Sequence, residues 1–480
     1  MQNAVNNSRG TNKSAILAII LVSYVMIVLD ISIVLTGLPK IHAELGFSDE
    51  GLSWVSTAYT LVFGGFLLLG ARAGDILGRR RMLLLGLAIF SVSSVVIGLS
   101  QTPSVMIAAR AAQGLGAAIL APSTLALLQT TFAPGSERTR AVSYYAAAAG
   151  ISAAIGMVLG GLLADWLSWR VGFFINLPIG AALMIAARRF VAETERRPAR
   201  VDVAGALTST IGVALLVYGF VRSASSGWPD PGTIAAVVLG GAMVAVFIVI
   251  ESRVTHPIMP LSLFADAERA AAYAGRALFL GANVGFYFFM AQYLQNAVGL
   301  SSAAAGISFL PATVVNFAAA MVAPQLIARF GAGRVLAASV LMGLVGMAWL
   351  SFELNGGSAY SLVLPMILIG TSQGGALGPL TASGIARVPA DRAGAASGLV
   401  NVAHQLGSSL GLSALVAASA AGSGMLTGAD LLAHRASTAM GAATVLIGAT
   451  LVLVLAFLFR TGETEMPTAE DDGQCVSPKA

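Results

Sequence analysis

The sequence predicts an all-α integral membrane bundle of fourteen spanning helices: two six-helix halves with two helices inserted between them. Three observations predict it. Apolar residues make up 57% of the chain and charged residues 10%, against roughly 25% charged in soluble domains. Apolar runs of about twenty residues, each long enough to cross about 30 Å of hydrocarbon, recur along almost the whole length. The chain also resembles itself at an offset of about 255 residues.

The first run, 15–38, follows Arg9 and Lys13 as a secretory signal would. It is too long for such a signal, contains Asp30 and lacks a small-residue cleavage site, so it is expected to stay as span 1. Spans 2 to 6 follow at 52–70, 82–100, 104–131, 139–163 and 168–188. A basic linker, Arg188 to Asp202, leads to spans 7 and 8 at 203–222 and 232–251. After a junction near Glu251 to Arg269, spans 9 to 14 occupy 271–296, 303–328, 335–352, 359–386, 394–420 and 436–459. The expected organisation is therefore an N-terminal tail (1–14), an N-terminal half (15–188), a linker with two inserted spans (189–270), a C-terminal half (271–459) and a tail (460–480). That last segment is polar and acidic, the composition of a disordered tail.

Charge orients the bundle. With the N-terminus in the cytoplasm, 21 of the 27 Lys and Arg fall on the cytoplasmic side, and only Lys40, Arg170, Arg222 and Arg435 on the other. Such a positive-inside bias predicts a multi-pass plasma-membrane protein with both termini cytoplasmic. The formal charge of +5 then reflects topology and anionic lipid headgroups, and no nucleic-acid partner is expected. Cys475 is the single cysteine, so no intrachain disulfide or thiolate metal cluster is possible. No P-loop pattern occurs, which leaves an ion gradient as the expected energy source and no cofactor.

Between spans 2 and 3 lies Arg72-Ala73-Gly74-Asp75-Ile76-Leu77-Gly78-Arg79-Arg80-Arg81. Gly74 and Gly78 permit a tight bend, and Arg72, Arg79 and Arg80 hold it at the cytoplasmic face. Asp75 and Arg79, four residues apart, are spaced to pair on one helical turn. This pattern fits a moving latch, while bilayer topology alone would also favour basic residues here. The equivalent loop between spans 10 and 11 is Ala328-Arg329-Phe330-Gly331-Ala332-Gly333-Arg334. Pro134-Gly135-Ser136-Glu137-Arg138 matches Pro389-Ala390-Asp391-Arg392, and Gln113-Gly114 matches Gln373-Gly374. Spans 1–6 thus correspond to spans 9–14, a duplication typical of transporters that rock about a midplane cavity.

With these motifs, the chain resembles the major facilitator superfamily, specifically its 14-helix drug:proton antiporters of the EmrB/QacA type. The cytoplasmic loop resembles the superfamily signature, with Ala71 where a glycine is common. Leu29 to Val34 with Leu38-Pro39 resembles a span 1 motif, with Leu35 in place of its usual asparagine. Arg110-Ala111-Ala112-Gln113-Gly114 resembles the span 4 motif that the family links to proton transfer. Gly150 to Gly161 resembles the antiporter motif of span 5, with Met157 where proline normally stands. Trp169-Arg170 and Phe174-Ile175-Asn176-Leu177-Pro178-Ile179-Gly180 extend the likeness. It implies a major facilitator fold and a proton-coupled multidrug or antibiotic exporter working by alternating access, with a hydrophobic small molecule and protons as its partners.

A charge inside hydrocarbon costs about 2.5–3.5 kcal/mol, so each one needs a reason. Asp30 lies about 22 Å up span 1, and Arg110 about 9 Å down span 4, nearly one depth in a core of about 30 Å. In the family fold these spans are neighbours, so the pair is expected to meet directly or through water. A nearby arginine stabilises a carboxylate's charge and a drier setting favours the acid, which gives proton coupling a physical basis. A static ion pair between spans 1 and 4 is the plainer alternative. Gly156 and Gly160 have small-xxx-small spacing for close helix approach; with Gly150 and Gly161 the resemblance implies a seal between the halves. Gln113, Asn283, Gln292, Asn316, Gln373, Asn401 and His404 are candidate cavity groups, though buried amides also bridge helices and His404 also suits packing. Spans 10 and 13 contain no Asp or Glu, so hydrophobic neutral or monocationic cargo is expected rather than dications. An importer or facilitator of the same fold is the first alternative. A membrane enzyme is the second, although the four histidines are scattered and no catalytic constellation is visible,.

Overall fold

A computed structural model describes residues 12–133, 136–193, 202–254, 257, 259–354, 361–388, 393–422, 424 and 426–459. Residues 1–11, the C-terminal tail, Pro134-Gly135, the middle of the basic linker and the Pro389-Ala390-Asp391-Arg392 segment lie outside the described residues. Thirteen helices are long and apolar enough to cross a membrane. A further helix, α5, runs Ser136–Trp166 without a break, as expected where Met157 replaces proline,.

The N-terminal half comprises α1 (Lys13–Leu45), α2 (Trp54–Leu77), α3 (Arg79–Leu99), α4 (Pro103–Thr131), α5, α6 (Trp169–Phe174) and α7 (Asn176–Phe190). The inserted pair is α8 (Val203–Ser226) and α9 (Pro231–Arg253). The C-terminal half comprises α10 (Ala267–Gln292), α11 (Ser302–Ser308), α12 (Leu310–Phe330), α13 (Ala332–Glu353), α14 (Val363–Ile385), α15 (Ala393–Ser419) and α16 (Gly428–Leu453). Two expected spans are therefore broken helices: α6 with α7, and α11 with α12. Each break stands beside a proline, Pro178 or Pro311, in the first turn of the second piece,.

The duplication is visible in backbone geometry. Gly78 (φ +102) joins α2 to α3, and Gly331 (φ +85) joins α12 to α13 at the repeat-equivalent position. In α4, a Cβ on Gly114 would lie 2.4 Å from the Tyr59 carbonyl of α2; in α14, one on Gly374 would lie 2.2 Å from the Asn316 carbonyl of α12. Only glycine permits so close a helix approach.

The inserted pair covers a seam between the halves. Val213, Val217 and Val221 of α8 pack with Leu61 of α2 and against Leu406 and Leu410 of α15. Thr210 of α8 fills the notch at Gly65 of α2. On the seam itself, Gly64 of α2 meets Gln405 and Leu406, and Gly398 of α15 meets Leu68.

Candidate functional site: a buried charge network and the two faces around it

Asp30 and Arg110 meet directly. Arg110 Nη1 donates to Asp30 Oδ2 at 2.7 Å, and both residues are 1% exposed. Asp30 Oδ1 accepts from Gln113 Nε2 at 2.8 Å and from Asn176 Nδ2 at 2.9 Å. Arg110 also donates through Nη1 to Gln113 Oε1 at 2.6 Å and through Nε to the Val55 carbonyl at 2.8 Å. Ser94 Oγ accepts from Gln113 and Asn176 and donates to the Phe90 carbonyl. The Tyr59 ring lies 4.4 Å from the guanidinium carbon, a cation–π distance.

Five helices supply this network, and local sequence explains each placement. Arg110 and Gln113, three residues apart, share a face of α4. The break between α6 and α7 puts Asn176 at the first residue of α7, from which its side-chain amide reaches the carboxylate. The arrangement belongs to one half only, for a steric reason. At Gly370, the counterpart of Arg110, a Cβ would lie 2.1 Å from the Ala312 carbonyl, so the C-terminal half has no room for an arginine there. The Arg110, Gln113 and Asn176 donors fill three of the roughly four lone-pair sites of the Asp30 carboxylate,.

The seven expected cavity residues fall in separate places. Gln113 lies inside the charge network and is fully buried. Gln373 Nε2 donates to Asn283 Oδ1 at 2.7 Å, while its Oε1 accepts from Asn316 and Tyr287. These amides bridge α10, α12 and α14. His404 sits beside Arg276. Gln292 lines a cleft on the other face of the bundle with Asp49, Glu50 and Arg435. Asn401 is exposed and donates to the Ser397 carbonyl of its own helix.

The basic loop is anchored within its own half. Arg79 Nη1 donates to the Ala126 carbonyl of α4, and Arg80 donates to Val191 O and, through its backbone, to Glu193. Arg81 pairs with Glu193 at 3.7 Å. Gly78 needs both its positive φ and its missing side chain, since a Cβ would lie 2.4 Å from Glu193 Oε1,. Arg72 is exposed and Gly74 buried; the side chain of Asp75 lies outside the described residues.

The antiporter glycines need a correction. Gly156 and Gly160 face Ser32, Ile33 and Thr36 of α1, within the N-terminal half, and do not join the halves. Gly161, one residue and about 100° further round the helix, is the one that crosses: a Cβ there would lie 2.3 Å from the Ser302 carbonyl of α11. Gly306 of α11 approaches the Met157 carbonyl in return. Gly150 lies outside the residues whose surroundings are described.

Bonds between the halves gather on the face opposite the basic loops. Arg435 of α16 pairs with Asp49 at 2.6 Å and Glu50 at 3.2 Å. Asp165 of α5 accepts backbone N–H groups of Ser302 and Ala303 at the start of α11. Gln295 donates to the Thr36 carbonyl. Towards the basic face, by contrast, exposure follows one stripe of α14 through Gly378, Ala382 and Ile385.

Sequence reasoning missed Ser94, Asn176, Tyr59, Glu193 and Arg276 as functional neighbours. Asn176 stood within a quoted motif, but only the fold shows it reaching Asp30.

Two duplicated helical halves, a seam-covering insert and a charge network buried in one half define a multi-pass membrane transporter. The sequence model of the Major Facilitator Superfamily matches residues 20–412. The chain belongs to this superfamily. It is 35% identical to the cephamycin export protein CmcT of Amycolatopsis lactamdurans over 95% of both chains. It is also 35% identical to the puromycin resistance protein pur8 of Streptomyces alboniger, over 83% of this chain and 80% of that one. A solved peptide transporter, POT in complex with sulfate, shares the fold at TM-score 0.68 and 15% identity, over 93% of this chain and 94% of the other.

Proposed function

We propose that this chain is a proton-coupled exporter of hydrophobic, antibiotic-like small molecules, working by alternating access in the plasma membrane with both termini cytoplasmic. Export direction rests on the relatives, whose names describe antibiotic export and resistance. Coupling rests on one observation, the Asp30–Arg110 pair with its amide donors. In the conformation described, the carboxylate is fully engaged and the halves are joined at the face opposite the basic loops. Opening that face lets a proton reach Asp30. Protonation removes the negative charge that Arg110 pairs with, and the rearranged α1 and α4 favour the other conformation of the halves. Cargo preferring one state and the proton the other yields exchange, with no cofactor.

Vesicles with an imposed pH gradient test both parts. Purified protein in proteoliposomes is expected to expel a lipophilic probe against its concentration gradient only while the proton gradient persists. Asp30→Asn should abolish accumulation against the gradient while probe binding remains. Accumulation with inwardly moving protons would instead favour an importer, and undiminished pumping by Asp30→Asn would overturn the coupling role.

A further inference from the structure

Arg276 is a second deeply buried cation, and its setting differs from that of Arg110. It lies on α10, nine residues from the start of the helix, so about 14 Å into the span, and is 8% exposed. Its Nη1 donates to Thr381 Oγ1 at 2.8 Å and to the Leu377 carbonyl at 3.4 Å, both on α14. Its Nη2 lies 3.3 Å from His404 Nδ1 on α15. Among the described residues no carboxylate pairs with it, and its Nε has no hydrogen-bond partner.

An uncompensated guanidinium inside a span is costly, so a purely structural account of Arg276 is incomplete. Its three neighbours are neutral, and three nearby helices could have been held together by uncharged groups. The histidine adds a constraint. A guanidinium has donors only, so the contact uses the lone pair on His404 Nδ1 and leaves the ring hydrogen on Nε2. The cluster therefore offers Arg276 Nε–H and His404 Nε2–H as donors beyond its internal bonds. Beside it, Gly378 borders open space, with nothing within 4 Å of an added Cβ. The exposed stripe of α14 runs from there towards the basic face.

We propose that Arg276, with Thr381 and His404, binds the negatively charged group of the transported molecule, a carboxylate carried on an apolar body. The guanidinium's planar donors match a carboxylate, and its charge supplies the attraction that no protein acid supplies. The proposal rests on the export reading and adds an anionic class to the neutral and singly positive cargo expected from the sequence. Asp30 offers no competing attraction in this conformation, because its oxygens are already committed.

The test uses the full chain in nanodiscs of neutral phosphatidylcholine, so that no anionic headgroup competes. Two fluorescent probes with one hydrophobic body are titrated at neutral pH, one ending in a carboxylate and the other in its methyl ester. The wild type is expected to bind the acid about tenfold more tightly than the ester, or better, a factor corresponding to ~1.4 kcal/mol. Arg276→Gln should bring the acid-to-ester ratio close to one while ester affinity holds. Arg276→Lys should retain part of the preference, and Thr381→Val should weaken acid binding severalfold, so the result does not depend on one variant folding. A merely structural arginine would leave the ratio unmoved. A wild-type ratio near one, or a ratio unchanged in Arg276→Gln or, if that variant does not fold, in Thr381→Val, overturns the site. Ester efflux from proteoliposomes is measured separately: its absence would count against the export reading, while the binding ratio still decides the anion site.

Discussion

At the scale of single residues, Asp30 and Arg110 are better described as a network than as a pair. Removing one member leaves a buried charge without its partner, which costs about 3–5 kcal/mol. Arg110→Leu is therefore expected to destabilise the purified protein by that order. Asp30→Asn combined with Arg110→Leu should cost less than the sum of the single changes. Thermal or denaturant unfolding of the four proteins provides the cycle, and simple additivity would show that the two side chains do not interact. The meeting of Asp30 and Arg110 was legible in the sequence because rise per residue set them at one depth and the family resemblance made their spans neighbours. Their remaining partners were not. Asn176 reaches Asp30 across 146 positions through a helix break that an apolar run does not display. The setting of Arg276 was not legible either: that no carboxylate among the described residues pairs with it emerges only when α10, α14 and α15 are packed together.

At the scale of elements, helix ends and close approaches carry the design. Asp230 caps α9, accepting the Thr233 N–H at 2.8 Å, and pairs with Arg222 at 2.6 Å. The hydrogen bond from Arg222, helped by the Thr233 N–H, holds the Asp230 carboxyl down at about 2. A carboxylate lowered in the folded state stabilises it above the unfolded value of about 3.9, and that contribution disappears as pH falls through about 2. Asp230→Asn should thus lower the melting temperature at neutral pH, with the gap to wild type closing as pH falls from about 4 towards 2. A gap independent of pH would mean that the asparagine lost something other than charge. The spans themselves were legible from apolar run length, but not all of their ends: α1 runs on to Leu45, α2 to Leu77, and α16 begins at Gly428, outside the expected bounds. Which face a glycine serves was not. Gly156, Gly160 and Gly161 form one motif in sequence, yet the first two hold α5 to α1 and the third holds it to α11. Periodicity gives spacing along one helix and not the identity of its neighbour.

At the scale of the whole molecule, the duplication and the insert shape how the halves can move. The repeat was visible in sequence as paired motifs, and its backbone counterpart is the pair of positive-φ glycines, Gly78 and Gly331. The position of the insert was not, since nothing in the composition of α8 says that it packs on α2 and α15. Bonds between the halves at the face opposite the basic loops must break for that face to open. Arg435→Ala removes two of them and is expected to shift the population towards the opposite opening. A cysteine at Gln292, in a variant whose Cys475 is replaced, should then react faster with a membrane-impermeant maleimide. Equal labelling with and without Arg435 would mean that this contact does not hold the face closed.

The central claim is that a proton and cargo compete through the Asp30 network, and proton release in unbuffered solution measures it directly. Purified wild-type protein loaded with protons at mildly acidic pH should release them when a transported probe is added, and Asp30→Asn should release none while still binding the probe. The same proton release from Asp30→Asn would contradict the account, as would probe binding by wild type with no proton released at any pH.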